Sequence, residues 1–133
     1  KKNNTLYLVE LAGRGAGFDV FSKFLPLISN INLPKILVLQ SIDQLKNIKF
    51  KKQNNHGIIK YYPSKGGKIK KIITSKNVLS HKIFFKKFVK VGQKTNSAKS
   101  DGDRNGYLMV IHSNYQICRK SIKNNYNKMR FVY

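Results

Sequence analysis

Apolar positions from Val20 onward recur at helical spacing: Val20, Phe21, Phe24, Leu25, Leu27, Ile28 and Ile31 line one stretch, with Asp19 placed to cap its start. Pro26 is expected to kink or shorten that helix, because proline lacks the N–H and crowds the preceding turn. Pro34 suits the first turn of a second helix, whose Ile36, Leu39, Ile42 and Leu45 form a stripe expected to face the core. The period then changes from helical to alternating. "NIKFKK" and "GIIKYYP" predict short strands around the turn "QNNHG", "SKGGK" predicts a hairpin turn into "KIKKIIT", and "HKIFFKKFVKV" continues in the β manner. The polar, small-residue stretch "QKTNSAKSDGDRNG" predicts an exposed loop. "YLMVI" predicts a buried strand, and Met129, Phe131 and Tyr133 alternate to one face of a closing strand. Helices first and strands after predict an α+β fold. Residues 1–17 are read as an N-terminal extension or linker, 18–66 as a helical α/β N-terminal lobe, and 67–133 as a β-rich C-terminal lobe with an inserted loop at 93–104.

Composition narrows the picture. The 133 residues suit one globular unit or two small lobes sharing a core, and 41% hydrophobic content is enough to build it. Charge is the dominant signal: 27 Lys and Arg against 5 Asp and Glu give a formal net charge of +22. Like charges repel within a compact fold unless anions neutralise them, and a polyanion does so along its whole length. A membrane surface is the rival polyanion. The cations are spread over nearly the whole chain, however, and no apolar run reaches the roughly 18 residues of a spanning helix. No membrane partner is therefore expected. Cys118 stands alone and is read as a core filler, in a chain suited to a reducing compartment. The chain begins with Lys1, read as a processed or incomplete start. Abundant Lys, Asn, Ile, Phe and Tyr with no Trp fit AT-rich coding DNA, which suggests an organellar origin, mitochondrial in the first instance, with plastid or bacterial cytoplasm as alternatives.

Reactive chemistry is sparse. Gly13, Gly15 and Gly17 could form a phosphate-cradling loop, but no Gly-Lys-Ser/Thr ending follows and Asp43 lies too far on for a dinucleotide fold, so a flexible connector is the reading. The acids are Glu10, Asp19, Asp43, Asp101 and Asp103; the last two share a polar loop. His56, His81 and His112 lack metal-ligand spacing, and Ser113 beside His112 has no acid following to complete a triad. The expectation is a protein that is not an enzyme, with no metal, no cofactor and no small-molecule substrate.

Cations are instead interleaved with aromatics and short polar side chains. "KYYPSKGGKIKK" sets Tyr61 and Tyr62 before Lys65, Lys68, Lys70 and Lys71. Lysines contact phosphates without reading sequence, whereas Tyr, Ser and Asn can stack on or hydrogen-bond to sugars and bases. Beyond the buried "YLMVI" strand, "HSNYQ" is rigidly presented, and Arg119, Lys120 and Lys123 stand ready to neutralise nearby phosphates. The candidate RNA-binding set is His112, Ser113, Asn114, Tyr115, Arg119, Lys120, Lys123, Lys65, Lys68, Ser75 and Lys76.

The C-terminal half resembles the small-subunit ribosomal protein eight family. The similarity runs through Ile59-Lys60-Tyr61, a glycine turn and Ile69 to Ile72, then Ser75-Lys76-Asn77-Val78 and Lys82-Ile83-Phe84, and finally Gly106 to Tyr133. Ser113 aligns with the second serine of the family's Ser-Thr-Ser motif and Lys123 with an arginine position. Ile111 and His112 replace its first Ser-Thr, Tyr115 replaces its glycine, and "KMR" stands where Gly-Gly-Glu precedes the last strand. The resemblance covers residues 58–133. It implies a non-enzymatic constituent of the small ribosomal subunit, bound to a helical junction in the central domain of its rRNA and to neighbouring ribosomal proteins, and serving assembly and translation. The alternatives are another basic ribosomal protein or a nonspecific nucleic-acid-binding protein of an organelle.

Overall fold

The computed structural model describes residues 16–45, 55–74 and 82–133. The expected buried strand is its centre. Strand β6, Arg104–His112, is buried from Asn105 to Ile111 and lies between β1, His56–Pro63, and β4, Ile83–Lys87, in an antiparallel sheet of order β1-β6-β4. Successive side chains of a strand point to opposite faces, so an unbroken apolar run needs a packed layer on each side. Leu108 and Val110 enter one cluster with Tyr62, Cys118, Ile122 and Met129; Tyr107, Met109 and Ile111 enter the other, against Phe24, Ile28, Ile59, Tyr61 and Phe84.

The second face is covered by the first helical segment. Val20–Phe24 winds as a wide π-helical turn and continues into α1, Leu25–Ser29, with Pro26 in the first turn, where no intrahelical donor is required. Asp19 does not cap this segment. Its backbone is left-handed at φ 63°, no cap bond forms from its side chain, and its carbonyl accepts the Phe24 N–H at 2.8 Å. Gly57 on β1 makes the close approach possible: a Cβ there would stand 2.5 Å from the Phe24 ring and 2.7 Å from Ile28 Cγ2. Helix α2, Leu33–Ser41, starts at Asn32, whose side chain accepts the Lys35 N–H at 3.0 Å, and carries Pro34 in its first turn as expected. Its stripe is not core, however. The helix stops before Ile42, which is 52% exposed, and Leu45 is 44% exposed beyond it.

The first face is covered by α3, Tyr115–Tyr126, which the hydrophobic pattern did not predict and for which the family resemblance over Gly106 to Tyr133 implied only a basic helical turn before the closing strand. Asn114 caps it by accepting the Gln116 and Ile117 N–H groups at 2.8 and 3.2 Å. Cys118 and Ile122 recur every fourth residue and are buried, and Tyr126 continues the row against the same cluster. The Cys118 thiol lies in the core, 3.4 Å from the His56 carbonyl, and burial pushes its pKa up.

Two small ribbons complete the fold. β2, Lys65–Lys68, pairs with β5, Lys94–Ser97, and β3, Lys71–Ile73, pairs with β7, Arg130–Val132. The expected hairpin through "SKGGK" is thus replaced. Lys65–Lys68 is itself a strand whose partner lies about 30 residues on, and Gly66 and Gly67 take the φ of +80° and +107° that bend it. The stretch expected as an inserted loop contains β5 and a 3-10 turn at Asp101–Asp103. The α+β class holds, with helices on both sides of a central antiparallel sheet. The strand expected at "NIKFKK" lies outside the described residues. Among the described residues no helix is long and apolar enough to cross a membrane.

Gly106 is the tightest point of the sheet. A Cβ there would overlap the Lys86 carbonyl oxygen of β4 and stand 3.2 Å from the Phe131 ring. Gly106→Ala is expected to cost about 1–3 kcal/mol by forcing β4 from β6. Gly102→Ala, in an exposed turn with only Ser100 Oγ nearby at 3.5 Å, should stay within about 0.5 kcal/mol of wild type. Urea unfolding of both variants checks this, and equal midpoints would refute it.

Candidate functional site

Three features of the fold gather polar chemistry. The first is a groove of about 350 Å³ between β1 and α3. Strand alternation places Ile58, Lys60 and Tyr62 on the α3 side of β1, since Ile58 pairs with Val110 and Lys60 with Leu108. Lys60 therefore meets Arg119 and Lys123, which stand one turn apart on α3, over a floor of Ile58 and Ile122. The Lys60 ammonium sits 4.0 Å from the centre of the Tyr126 ring. That ring stacks on Tyr62 at 4.3 Å and 7°. Tyr126 donates its hydroxyl to the Tyr61 carbonyl at 2.6 Å and Tyr62 donates to the Tyr126 carbonyl at 2.9 Å. This reciprocal pair pins the end of α3 to β1, and burial raises both phenol pKa values, keeping the rings neutral.

The second feature adjoins it across Tyr126 and Asn127: a groove of about 400 Å³ lined by Pro63, Met129, Phe131 and Tyr133 with Lys65 and Arg130 at its rim. The Tyr133 hydroxyl accepts the Lys65 N–H at 2.8 Å and an amide hydrogen of Asn105, and donates to Ser64 Oγ at 3.3 Å. Partial burial pushes this phenol up, but its hydrogen bonds to Ser64, Lys65 and Asn105 more than offset it, and the net pKa lies below the ordinary value. The buried side chains of Ser64 and Asn105 are satisfied here.

The third feature is a charged centre on the opposite face of the sheet. Asp19 accepts from Lys86 Nζ at 2.6 Å and from the Tyr107 hydroxyl at 2.8 Å. Desolvation raises its pKa, yet those two hydrogen bonds and the nearby charges of Lys86 and Lys23 together hold it below the usual carboxylate value. Tyr61 donates to the Phe18 carbonyl at 3.2 Å, and the Arg104 guanidinium lies 4.0 Å from the centre of the Tyr61 ring. The other described acids are committed or exposed. Asp101 pairs with Arg104, Asp103 accepts from Lys99 and Ser100, and Asp43 sits exposed in a turn. Among the described residues no three His, Cys, Asp or Glu side chains come together as a metal cluster. Glu10, His81, Gly13 and Gly15 lie outside the described residues.

The sequence-derived site residues separate into distinct places. Tyr115, Arg119 and Lys123 line the β1–α3 groove, and Lys120 is exposed on the same helix. His112 and Ser113 line another groove, of about 320 Å³, with Asn30, Asn55, Lys82 and Phe84; His112 Nδ1 accepts the Asn114 N–H at 2.9 Å. Asn114 is occupied as the helix cap. Lys65 lies at the rim of the Tyr133 groove, while Lys68 faces Lys94 across the β2–β5 ribbon. Ser75 and Lys76 lie outside the described residues. Sequence reasoning missed Lys60, although the alternation of Ile58, Lys60 and Tyr62 already placed it on an apolar face.

Comparison with known proteins redirects the reading. No family model matches the sequence, and no curated protein matches it. Its structure is similar to phosphoribosylglycinamide synthetase from Anaerococcus prevotii, at 19% identity and a TM-score of 0.74 over 99% of this chain and 35% of that one. It is also similar to L-amino acid ligase from Bacillus licheniformis, at 16% identity and a TM-score of 0.77 over 96% of this chain and 32% of that one. The chain thus shares the fold of a portion of two ligases and spans about a third of each.

This likeness corrects the ribosomal reading. A fold shared across nearly the whole chain replaces motifs confined to residues 58–133, and those motifs are wired differently from the plan that suggested them. Ile59–Tyr61 and Ile72 do not form two arms of one glycine hairpin; the first pairs with β6 and the second with β7. The assignments that depended on the resemblance fall with it: ribosomal constituent, rRNA and neighbouring ribosomal proteins as partners, and a role in translation; the likeness to two ligases also overturns the expectation, drawn from sparse reactive side chains, of no enzymatic activity and no small-molecule substrate.

The Asp19 centre carries its own pH signature. A carboxyl held below its unfolded value of about 3.9 stabilises the fold above that pH, and the contribution disappears as pH falls through the folded value. Asp19→Asn keeps the left-handed backbone and an oxygen for Tyr107 but removes the charge. It should cost about 1 kcal/mol at pH 7, since half-exposed Lys86 is screened by water. That difference from wild type should shrink steadily below about pH 4. Urea unfolding of both proteins at pH 7, 5 and 3 measures it, and a gap unchanged at pH 3 would show that the charge is not the cause.

Proposed function

We propose that the protein is an ATP-dependent ligase and that this chain forms about a third of its working structure. The supporting observation is the fold shared over 99% and 96% of the chain with two proteins that are both ligases, of the ATP-grasp type. A fold hosts chemistry only through its site, so the pair of substrates joined is set by residues that the fold alone does not identify. The described carboxylates are committed within the fold or lie apart, so no step of nucleotide or metal chemistry is assigned to them. The contribution of this chain is a three-layer unit, with helical layers on both sides of a central antiparallel sheet.

The test uses the intact native protein with ATP, magnesium and a small-molecule extract that supplies carboxylates and amines. ATP should be consumed only when the extract is present, with appearance of a product whose mass is that of two reactants less one water. ATP that is neither bound nor consumed, or that is hydrolysed with no joined product by mass spectrometry, would refute the proposal.

A further inference from the structure

We propose that the groove between β1 and α3 is a binding site for a phosphate-bearing small molecule, held by Lys60, Arg119 and Lys123. The proposal stands apart from the ligase reading, since it rests on the groove's own charge and shape.

Three cations converge there from two elements, and the groove lining contains no Asp or Glu. The two ion pairs among the described residues, Lys86–Asp19 and Arg104–Asp101, lie elsewhere. Arg119 and Lys123 occupy an i, i+4 spacing, at which like charges repel, and Lys60 adds a third charge from the facing strand. An anion reverses that repulsion. The neighbouring groove around Tyr133 holds two cations, and the one around Ser64 mixes Lys94 and Arg104 with Asp103. Of these three grooves, the one between β1 and α3 carries the most cations and no acid.

The chemistry of the three groups selects phosphate. Arginine offers a planar fork that matches two phosphate oxygens, and lysine adds a compact point charge. Three cations call for more than one negative charge, which a phosphomonoester or diphosphate carries. The strand-borne cation of the site is placed before any ligand arrives. Lys60 is held over the Tyr126 ring, which is itself locked by Tyr62 and by its bond to the Tyr61 carbonyl. With Tyr62 stacked on it and Lys60 over it, Tyr126 offers no free face for a nucleobase, and the groove's other aromatic, Tyr115, is engaged by the His56 ring in a tilted contact at 5.9 Å. Single-stranded RNA is recognised largely through such faces, so the arrangement favours a small phosphorylated ligand.

The probe is inorganic pyrophosphate, titrated calorimetrically into the intact native protein at about 0.15 M salt, where surface charge is screened beyond about 8 Å. Arg119→Gln with Lys123→Gln should weaken binding at least about tenfold, whereas Lys94→Gln with Lys99→Gln, which removes the same charge elsewhere, should change it by less than about threefold. Arg119→Lys, which keeps the charge and loses the fork, should bind with an affinity between wild type and the double variant, with thermal midpoints confirming that all variants are folded. Ribose 5-phosphate displacing pyrophosphate would assign the site to phosphate esters, and displacement by inorganic phosphate alone would assign it to the free anion; either supports the site. Equal weakening by both pairs of substitutions, no pyrophosphate binding, or an oligoribonucleotide whose affinity grows with length and resists pyrophosphate would each overturn it. None of these results depends on whether ATP is turned over.

Discussion

The fold depends on burying both faces of one strand. From Tyr107 to Ile111 every side chain of β6 is nearly inaccessible to water, with odd positions feeding one cluster and even positions the other. A strand of this kind cannot sit at an edge or on a one-sided sheet. It needs hydrogen-bonded neighbours on both sides, supplied by β1 and β4, and an apolar layer above and below, supplied by α3 and by the segment from Val20 to Ser29. A register slip of one residue would exchange the two clusters and set Leu108 against Phe24 in place of Cys118. The residues at the closest contacts follow from the same demand. Gly106 lets β4 approach, and Gly57 lets the first helical segment lie against the strand backbone.

Legibility in the sequence tracked how local each signal was. The buried strand was visible because five consecutive apolar residues admit few alternatives, and the start of α2 was visible because Pro34 marks a first turn. Helix α3 was hidden among lysines, arginines and asparagines, with a buried face reduced to Cys118, Ile122 and Tyr126. The cap that announces it, Asn114, was read as a ligand-facing residue because it follows a buried strand. Gly66 and Gly67 looked like a turn, and only the pairing of Lys65–Lys68 with residues about 30 positions away makes them part of a strand. Asp19 had the right chemistry for a cap and was placed instead in a left-handed conformation that aims its carboxylate at Lys86 and Tyr107. The stripe expected on α2 held only in part. Ile36 and Leu39 are half-buried while Leu37 and Val38 between them are exposed, as the periodicity requires, but Ile42 and Leu45 fall beyond the helix and are exposed.

Charge misled for a physical reason. A net charge of +22 bears on solubility and on attraction to anions, and says little about which fold carries it. The short basic strands around Tyr61 and Ile72 share their composition with those of RNA-binding proteins, because alternating lysine with isoleucine or tyrosine is also what a small sheet with one wet face requires. What separates the two cases is the wiring: here Ile59–Tyr61 pairs with β6 and Ile72 with β7, in a fold shared with portions of two ligases. The cations within it are unevenly distributed. Lys86 and Arg104 are paired with acids and packed on aromatic rings, whereas Lys68 and Lys94 oppose each other across a ribbon that neither side neutralises.

The β1–α3 groove joins these strands of argument, because the constraint on β6 creates it. Burying Leu108 requires a partner on β1 whose side chain points to the α3 side, and that partner is Lys60. A lysine in this register cannot enter the cluster, so its stem follows the Tyr126 ring and its ammonium emerges at the lip between strand and helix. The same helix must turn Cys118 and Ile122 inward, which leaves Arg119 and Lys123 beside that lip. The meeting of three cations is thus a consequence of how two apolar layers close on one strand. The bonds from the Tyr62 hydroxyl to the Tyr126 carbonyl and from the Tyr126 hydroxyl to the Tyr61 carbonyl then hold strand and helix at fixed separation, which converts a by-product of packing into a surface of defined geometry.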